Sequence, residues 1–233
     1  MVQIVSPDLW SWTYVEYFAK NDISLRGYFV QQRCHLGDLL HFLHSNADKP
    51  QTVSTMVITD FTKAFDLVNH NIAVSKLHLM GARPALLPWI CSFLHQRVQV
   101  TRYHGVLSTS LMPSGGVPQG TRLGPLIFLV LINDALATTP MARRWKYVDD
   151  LTIAESRKMG DESAIATAIT DFQLWCDDTQ LRLNPAKCKV MQVSFARAAI
   201  TSPRIELCNN VLEEVKELKL LGVIIQANLR WNS

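Results

Sequence analysis

The most informative segment of the chain is Arg144-Trp145-Lys146-Tyr147-Val148-Asp149-Asp150-Leu151-Thr152-Ile153-Ala154. Aromatic and β-branched residues lie on both sides of two adjacent aspartates, and such residues favour extended backbone. The pattern therefore predicts a β-hairpin with Asp149 and Asp150 at its tip. Adjacent carboxylates repel each other, so a fold keeps them at low cost only where both are solvated or where a cation lies between them.

A third carboxylate ends another β-prone run upstream, Thr52-Val53-Ser54-Thr55-Met56-Val57-Ile58-Thr59-Asp60. Carboxylates delivered by the ends of two strands suit hard divalent cations, which prefer oxygen ligands. A second acidic pair, Asp177-Asp178, lies in a helical pattern and is expected on a solvated face. Spacing alone is compatible with either a metal site or two solvated turns.

The composition is that of a globular protein, with 233 residues, of which 48% are hydrophobic and 18% charged. A net charge of +3 and a pI of about 8.6 permit a polyanionic partner without requiring one. The five cysteines have neither Cys-x-x-Cys nor zinc-site spacing. They predict reduced thiols and an intracellular protein, in the nucleus or the cytoplasm. No signal peptide is expected, because the N-terminus lacks a charged region followed by an apolar core. No membrane partner is expected, because no apolar stretch is long enough to span a bilayer.

Hydrophobic periodicity predicts an α+β fold with helices on one face of a sheet. The predicted helices cover about 36–45, 72–80, 85–94, 123–137 and 161–180. Strands are predicted at about 52–60, 97–103, 106–112, 189–195 and 218–225, with a further hairpin at 205–215 turning at Asn209-Asn210. The segment Ser114-Gly115-Gly116-Val117-Pro118-Gln119-Gly120 is predicted to be a loop whose glycines let backbone approach a ligand closely.

Five segments resemble, in order, the motifs of the reverse transcriptases of non-LTR (LINE-type) retrotransposons, and together they cover about residues 53–231. They are Val57-Ile58-Thr59-Asp60-Phe61-Thr62-Lys63-Ala64-Phe65-Asp66; Gly116-Val117-Pro118-Gln119-Gly120-Thr121-Arg122-Leu123-Gly124-Pro125; Tyr147-Val148-Asp149-Asp150; Leu183-Asn184-Pro185-Ala186-Lys187-Cys188; and Leu218-Lys219-Leu220-Leu221-Gly222-Val223 with Leu229-Arg230-Trp231.

The resemblance implies a single reverse transcriptase domain over residues 1–233, built on a right-hand polymerase palm. The palm is expected at about 49–66 and 114–204, the fingers at about 1–48 (degenerate) and 67–113, and the primer-grip region at about 205–231. In the fingers, only Arg33 is expected to remain from the basic residues that hold the triphosphate, which would weaken dNTP binding. The thumb is expected to be absent, as in a truncated element, a partial gene model or a relic.

The resemblance also implies RNA-directed DNA synthesis, with an RNA template, a DNA primer and dNTPs as partners. By analogy, Asp60 and Asp149 bridge two Mg²⁺ ions, with Asp150 beside them and the Phe61 carbonyl as a further ligand; Mn²⁺ is the alternative ion. Lys187 resembles a lysine that protonates the departing pyrophosphate. The alternative for Lys187 is an ordinary surface lysine.

Three residues of the motifs are implied to contact the nucleotide. Phe65 resembles the steric gate whose ring excludes a ribose 2′-hydroxyl, and the alternative is a core phenylalanine. Gln119 and Gly120 would line the dNTP and the template base, and the alternative is an ordinary turn. Five basic residues could contact phosphate backbones or be merely solvated: Arg97, Arg102, Arg143, Arg144 and Lys146.

Three functions compete at this point. The first is an RNA-directed DNA polymerase domain, and the second is a non-catalytic nucleic-acid-binding relic of the palm. The third, an RNA-templated RNA polymerase, is disfavoured by Phe65, because a ribonucleotide would clash with the ring. Mg²⁺-dependent primer extension separates the first from the second. Group II intron reverse transcriptases are a neighbouring branch, although the stretch from Ile132-Asn133-Asp134 resembles the LINE side more closely. The sequence predicts no oligomeric state.

Overall fold

A computed structural model describes residues 2–5, 35–95, 97–135, 141–195 and 204–230. The chain divides into two compact units. The first consists of Met1–Phe29, Lys63–Asp134 and Thr179–Leu181, and the second of Val30–Thr62, Ala135–Asp178 and Arg182–Ser233. Within the described residues, no helix has the length and apolar character needed to cross a membrane.

Helices and strands alternate along the chain, as the sequence predicts for an α+β fold. The helices are α1 (His35–Ala47), α2 (His70–Leu79), α3 (Leu87–His95, preceded by a 3₁₀ turn at Pro84–Leu86), α4 (Leu123–Leu131) and α5 (Ile165–Thr179). The strands are β1 (Val2–Val5), β2 (Thr52–Thr59), β3 (Val98–Tyr103), β4 (Val106–Leu107), β5 (Ala142–Tyr147), β6 (Asp150–Lys158), β7 (Lys189–Val193), β8 (Glu206–Leu207), β9 (Asn210–Val211), β10 (Glu213–Glu214), β11 (Glu217–Leu220) and β12 (Val223–Gln226).

The second unit is built on a five-stranded sheet with the order β10-β7-β2-β6-β5. Strand β2 lies at its centre and pairs antiparallel with both β6 and β7. Val53, Met56 and Val57 of β2 are fully buried. Met56 and Val57 are successive residues and point to opposite faces, so the strand is covered on both. Only β10 pairs parallel to its neighbour β7.

Helix α1 packs on one face of this sheet, in keeping with the predicted α+β palm. Met56, Ala154 and Met191 form one cluster with Leu39 of α1 and Ile225 of β12. Successive side chains of a strand point to opposite faces, so Glu155 lies on the other face from Ala154. There its carboxylate accepts hydrogen bonds from the Ser163 hydroxyl and from the Ala164 amide, just before α5 begins.

The first unit contains α2, α3, α4 and a three-stranded sheet with the order β1-β3-β4. Helix α4 is buried at every position except Pro125. It ends at Leu131, six residues before the end predicted at about residue 137, and Lys76 of α2 explains the stop. The Lys76 ammonium donates to the Leu131 carbonyl at 2.7 Å and to the Asp134 carboxylate at 2.5 Å, which satisfies the end of the helix.

Two turns near the C-terminal end differ from the sequence-based expectation. The run 218–225, predicted as one strand, is the hairpin β11–β12, and its turn residues Leu221 and Gly222 both have positive φ. In the hairpin β8–β9 the pairing of Leu207 with Asn210 makes Cys208 and Asn209 the turn residues, one position before the predicted pair. Positive φ at both central residues is the type I′ geometry that matches the twist of a hairpin.

The loop of residues 114–120, called the glycine loop below, is held against residues 65–68 by its own amides. The Gly116 amide donates to the Val68 carbonyl and the Val117 amide to the Phe65 carbonyl, both at 2.8 Å. A Cβ atom at Gly116 would lie 2.6 Å from the Asp66 carbonyl oxygen, and Gly116 has a φ of +79°. Glycine is therefore required here by both close approach and backbone conformation.

Two alanine substitutions separate these requirements, because Gly120 has the same φ of +79° but open space around its Cβ position. We expect Gly116→Ala to lower the free energy of unfolding by roughly 2–4 kcal/mol, and Gly120→Ala by about 1 kcal/mol. Urea unfolding of the two variants and the parent chain measures the difference. Equal losses at the two positions would contradict the close approach at Gly116.

Candidate active site

The β5–β6 hairpin forms as predicted, but its turn lies one position before the predicted tip of Asp149 and Asp150. Tyr147 pairs with Asp150, which leaves Val148 and Asp149 as the two turn residues. Val148 has a φ of 54°, an unusual conformation for a β-branched residue. Strain of this kind persists where the surrounding structure fixes the backbone, and it concentrates at functional sites. Asp149 is exposed, and Asp150 is half-buried as the first residue of β6.

The sheet register brings Asp60 to Asp150. Thr59 at the end of β2 pairs with Leu151, so continuing the antiparallel register by one residue places Asp60 opposite Asp150. Opposed residues of an antiparallel pair share one face of the sheet. Burial raises the pKa of the Asp150 carboxyl, and the negative charges of Asp149 and Asp60 raise it further. Asp149 and Asp60 are therefore both close enough to act on Asp150 at this end of the sheet.

One oxygen of Asp60 is left without a hydrogen bond. Its Oδ1 is buried and has no hydrogen-bond partner among the described residues, and the Lys187 ammonium lies 3.6 Å away. That separation is too long for a hydrogen bond, and the Lys187 side chain is 67% exposed, so solvent screens the ion pair. A desolvated carboxylate oxygen that lacks a donor is suited to bind a cation.

The residues present fit a magnesium site that is completed by substrate. Among the described residues, no cluster of three or more His, Cys, Asp or Glu side chains is arranged to hold a metal ion. Mg²⁺, however, is commonly bound through one or two carboxylates together with substrate phosphates. The pair Asp60 and Asp150 and the unpartnered Asp60 oxygen meet that requirement.

The backbone around Asp60 is held by the segment that contains Lys187. The Asp60 carbonyl accepts from the Asn184 amide at 2.8 Å, and the Asp60 amide donates to the Cys188 sulfur at 3.4 Å. Cys188 is fully buried, and burial raises the pKa of its thiol, so the sulfur is a neutral acceptor. From the sequence, Cys188 was expected only to be buried. Its position directly after Lys187 was the one feature of the sequence that pointed to a contact with Asp60.

Phe61 is fixed on both its backbone and its side chain. It forms an antiparallel bridge with Leu183, and the two flanking hydrogen bonds are made by Asp60 and Thr62. In such a pair the bridging residue's own carbonyl points away from its partner, which directs the Phe61 carbonyl oxygen to the side opposite Leu183. The Phe61 ring packs edge-on against Phe172 of α5, with 6.1 Å between the ring centroids.

The three predicted nucleotide contacts lie in the first unit. The Phe65 ring is half-buried, with its centroid 4.6 Å from that of Phe128 in α4. Gln119 donates from its side-chain amide to the Asp66 carboxylate at 3.0 Å, and Gly120 is exposed. The aspartates and Lys187 belong to the second unit. Arg33 lies outside the described residues.

Arg97 is not a phosphate contact, and that prediction is wrong. Its side chain is only 6% exposed, and its guanidinium donates to the carbonyls of Leu94, Gly115 and Gly116. By contrast, Arg102 on β3 is exposed. The sequence allowed either a phosphate contact or a solvated side chain at both positions, and the burial of Arg97 depends on a loop that is distant in sequence.

Comparisons with known proteins agree with the five motifs. A model of the family described as "Reverse transcriptase (RNA-dependent DNA polymerase)" matches residues 16–225. The chain is 26% identical over 182 residues to the RNA-directed DNA polymerase from mobile element jockey of Drosophila melanogaster, a match covering 74% of this chain and 20% of that protein. It is 28% identical over 204 residues to the probable RNA-directed DNA polymerase from transposon BS of the same species, covering 82% of this chain and 22% of that protein.

Solved telomerases share the fold. Apo telomerase from Candida tropicalis, truncated from its C-terminal domain, superposes with a TM-score of 0.59 at 12% identity, covering 94% of this chain and 46% of that chain. Telomerase from Candida albicans, solved with a fragment of telomeric RNA, gives a TM-score of 0.56 at 10% identity, covering 92% and 38% of the two chains.

The chain spans about a fifth of the length of the curated relatives it matches. Reverse transcriptases use divalent metal ions, in keeping with the carboxylates described above. With a family model covering most of its length and mobile-element polymerases among its relatives, the chain belongs to the reverse transcriptase (RNA-dependent DNA polymerase) family, in the branch of the LINE-type, non-LTR retrotransposons.

Proposed function

We propose that this domain catalyses RNA-directed DNA synthesis, in which a primer 3′-hydroxyl is joined to the α-phosphorus of a dNTP and pyrophosphate leaves. The observation that carries the proposal is the convergence of Asp60 and Asp150 at adjacent strand ends, with one buried Asp60 oxygen lacking a hydrogen-bond donor. Neighbouring carboxylates of this kind cost stability, and a solvent-screened ion pair with Lys187 offsets little of that cost.

Asp60, Asp149, Asp150 and the Phe61 carbonyl are the proposed ligands of two Mg²⁺ ions, with Mn²⁺ as the alternative. Bound ions of this kind lower the pKa of the attacking hydroxyl and neutralise charge on the triphosphate. The chain contributes fixed positions, since Asn184 and Cys188 hold the Asp60 backbone before any ligand binds. Such preorganisation lowers the reorganisation needed during the reaction.

Lys187 is the proposed proton donor to the departing pyrophosphate. Its ammonium lies near Asp60 but remains mostly exposed, so it is free to contact a phosphate rather than being confined to an ion pair. In this step the primer 3′-oxygen bonds to Pα and its proton passes to solvent, while the bond from Pα to the pyrophosphate oxygen breaks and a proton from the ammonium reaches that leaving oxygen. Solvent then returns the proton to the lysine.

Phe65, Gln119, Gly120 and Arg33 are the proposed contacts of the incoming nucleotide. The exposed part of the Phe65 ring supports a steric role against a ribose 2′-hydroxyl, and the exposed Gly120 backbone supports a close approach to the nucleotide. An RNA template and a DNA primer are the proposed partners. The telomerase from Candida albicans, solved with a fragment of telomeric RNA, supports the template assignment by analogy of fold.

Primer extension tests the proposed function. The protein receives an RNA template, a DNA primer, dNTPs and Mg²⁺, and we expect Asp149→Asn/Asp150→Asn to lower the extension rate by at least about a thousandfold, because the metal-binding charge is lost. The matched control is Asp177→Asn/Asp178→Asn, an exposed acidic pair on α5 that should extend at the parent rate. Equal extension by both double variants would contradict the site. Binding of RNA/DNA without extension by the parent chain would favour the non-catalytic relic.

Sugar selection tests the role of Phe65. Truncating the ring in Phe65→Ala should make room for a 2′-hydroxyl and raise rNTP incorporation relative to dNTP incorporation by at least about tenfold. Single-nucleotide incorporation with each sugar gives the ratio, and Phe195→Ala, at a 55% exposed ring, is the control. An unchanged ratio of rNTP to dNTP incorporation in Phe65→Ala would contradict the steric role of the ring and leave only its packing against Phe128.

A further inference from the structure

Two buried basic side chains, His70 and Arg97, meet the glycine loop, and neither the five motifs nor the proposed chemistry gives them a role. His70 is 3% exposed and Arg97 6% exposed. They come from different parts of the first unit, helix α2 and the residue before β3, and both donate hydrogen bonds to the backbone of the loop. Burying the charge of an arginine costs free energy, so the groups that the guanidinium contacts indicate its role.

Arg97 holds the loop through its carbonyl oxygens. Its Nη2 donates to the Gly115 carbonyl at 2.9 Å and to the Gly116 carbonyl at 2.5 Å, while its Nε donates to the Leu94 carbonyl at 3.1 Å. These bonds use the rigid fork of the guanidinium, which fixes the orientation of its acceptors as well as their distance. A lysine could keep the charge but could not reproduce this geometry.

His70 reinforces the same carbonyl. Its Nε2 lies 2.7 Å from the Gly116 oxygen, which can only accept, so the Nε2 carries the proton. Its Nδ1 lies 3.5 Å from the Nδ1 of His95. Burial lowers the pKa of His70, the hydrogen bond to Gly116 raises it in part, and the nearby His95 and Arg97 lower it, so that the net shift is downward and a neutral ring donates to the loop at pH 7. Gly116 thus accepts from two buried donors on one oxygen.

The opposite side of the loop is attached to the Phe65 segment. The amides of Gly116 and Val117 donate to the carbonyls of Val68 and Phe65, and the Gln119 side chain donates to Asp66. Arg97 and His70 therefore fix the loop by its carbonyls, while residues 65–68 fix it by its amides. The position of Gln119 and Gly120 relative to Phe65 depends on both sets of bonds.

We propose that Arg97 and His70 are positioning residues that set the distance between the glycine loop and the Phe65 segment, and through it the fit of the dNTP sugar and base. The inference rests on the proposed function, since it takes Phe65, Gln119 and Gly120 as the nucleotide contacts. Loosening the loop weakens nucleotide binding and sugar selection more than the rate of the chemical step, because the aspartates are held by separate bonds.

The variants are chosen to keep the fold. Arg97→Lys retains the charge but loses the fork, and Arg83→Lys, at an exposed arginine of the same unit, is its control. His70→Leu removes the donor, whereas His70→Gln restores an amide donor at the place of Nε2, and exposed His78→Leu on the same helix is the control. Circular dichroism confirms that each variant is folded before use, and where His70→Leu fails to fold, Arg97→Lys and His70→Gln carry the test.

Hydrogen exchange measured by mass spectrometry is the first readout, because it needs no activity. Peptides that cover residues 115–119 should exchange at least about tenfold faster in Arg97→Lys, with peptides of β2 and β6 unchanged. The second readout is single-nucleotide incorporation. Here the KM for dNTP should rise about tenfold with kcat within about threefold of the parent, and discrimination against rNTPs should fall, with His70→Gln close to the parent chain.

Parent-like exchange in Arg97→Lys overturns the proposal, and so does a loss confined to kcat with KM and sugar selection unchanged. A purely structural role would lower the amount of folded protein and leave the KM and the sugar ratio of the folded fraction as they were. Where the parent chain itself extends no primer, the proposed function fails, and the exchange result alone then decides whether the two residues position the loop.

Discussion

The antiparallel pairing of β2 with β6 is the constraint on which the rest of the second unit depends. The register runs from Thr52 opposite Lys158 to Thr59 opposite Leu151 and carries Asp60 to the start of β6. A slip of one residue would turn the side chains of a whole strand to the wrong face, and burial on both faces of β2 prevents it. The position of the proposed metal ligands is thus a consequence of core packing around Met56 and Val57.

Around that register, the protein accepts several local costs. Val148 adopts a left-handed conformation in the turn, Asp150 has a raised pKa, and an oxygen of Asp60 is buried without a donor. Features that lower stability in one place, while the surrounding strands satisfy ordinary packing rules, are expected at functional sites. A cation between the carboxylates would lower the pKa of Asp150 and would contact the buried Asp60 oxygen. The Val148 conformation belongs to the turn that holds Asp149 and Asp150 in place.

The supporting contacts come from segments that are remote in sequence. Asn184 and Cys188 hold the backbone of Asp60, and Phe172 of α5 packs against the Phe61 ring. In the first unit, Arg97 and His70 hold the glycine loop from one side. In both units, flexible or strained backbone near the proposed substrate contacts is fixed by buried partners rather than by its own secondary structure.

The sequence predicts those features that depend on local rules. Alternation and turn chemistry predict β2, the β5–β6 hairpin and the acidic tip, because strand propensity and two adjacent aspartates act over a few residues. The sequence predicts neither the burial of Arg97 nor the sulfur contact of Cys188, since both depend on partners brought together by tertiary packing. The turn within the apolar run 218–225 was also missed. It requires a positive φ at Leu221 beside Gly222, and the local propensity of leucine does not predict that conformation.

The most direct test of the central claim is cleavage of the backbone by a bound metal. Fe²⁺ replaces Mg²⁺, and ascorbate with peroxide generates hydroxyl radicals that cut the chain near the ion. We expect cuts beside Asp60 and beside Asp149 and Asp150. Excess Mg²⁺ should suppress both sets of cuts, and so should Asp60→Asn or Asp150→Asn. Both sets should be retained in Asp177→Asn/Asp178→Asn. Cuts at only one of the two segments, or cuts that persist in Asp150→Asn, would contradict a metal site shared by the ends of β2 and the β5–β6 hairpin.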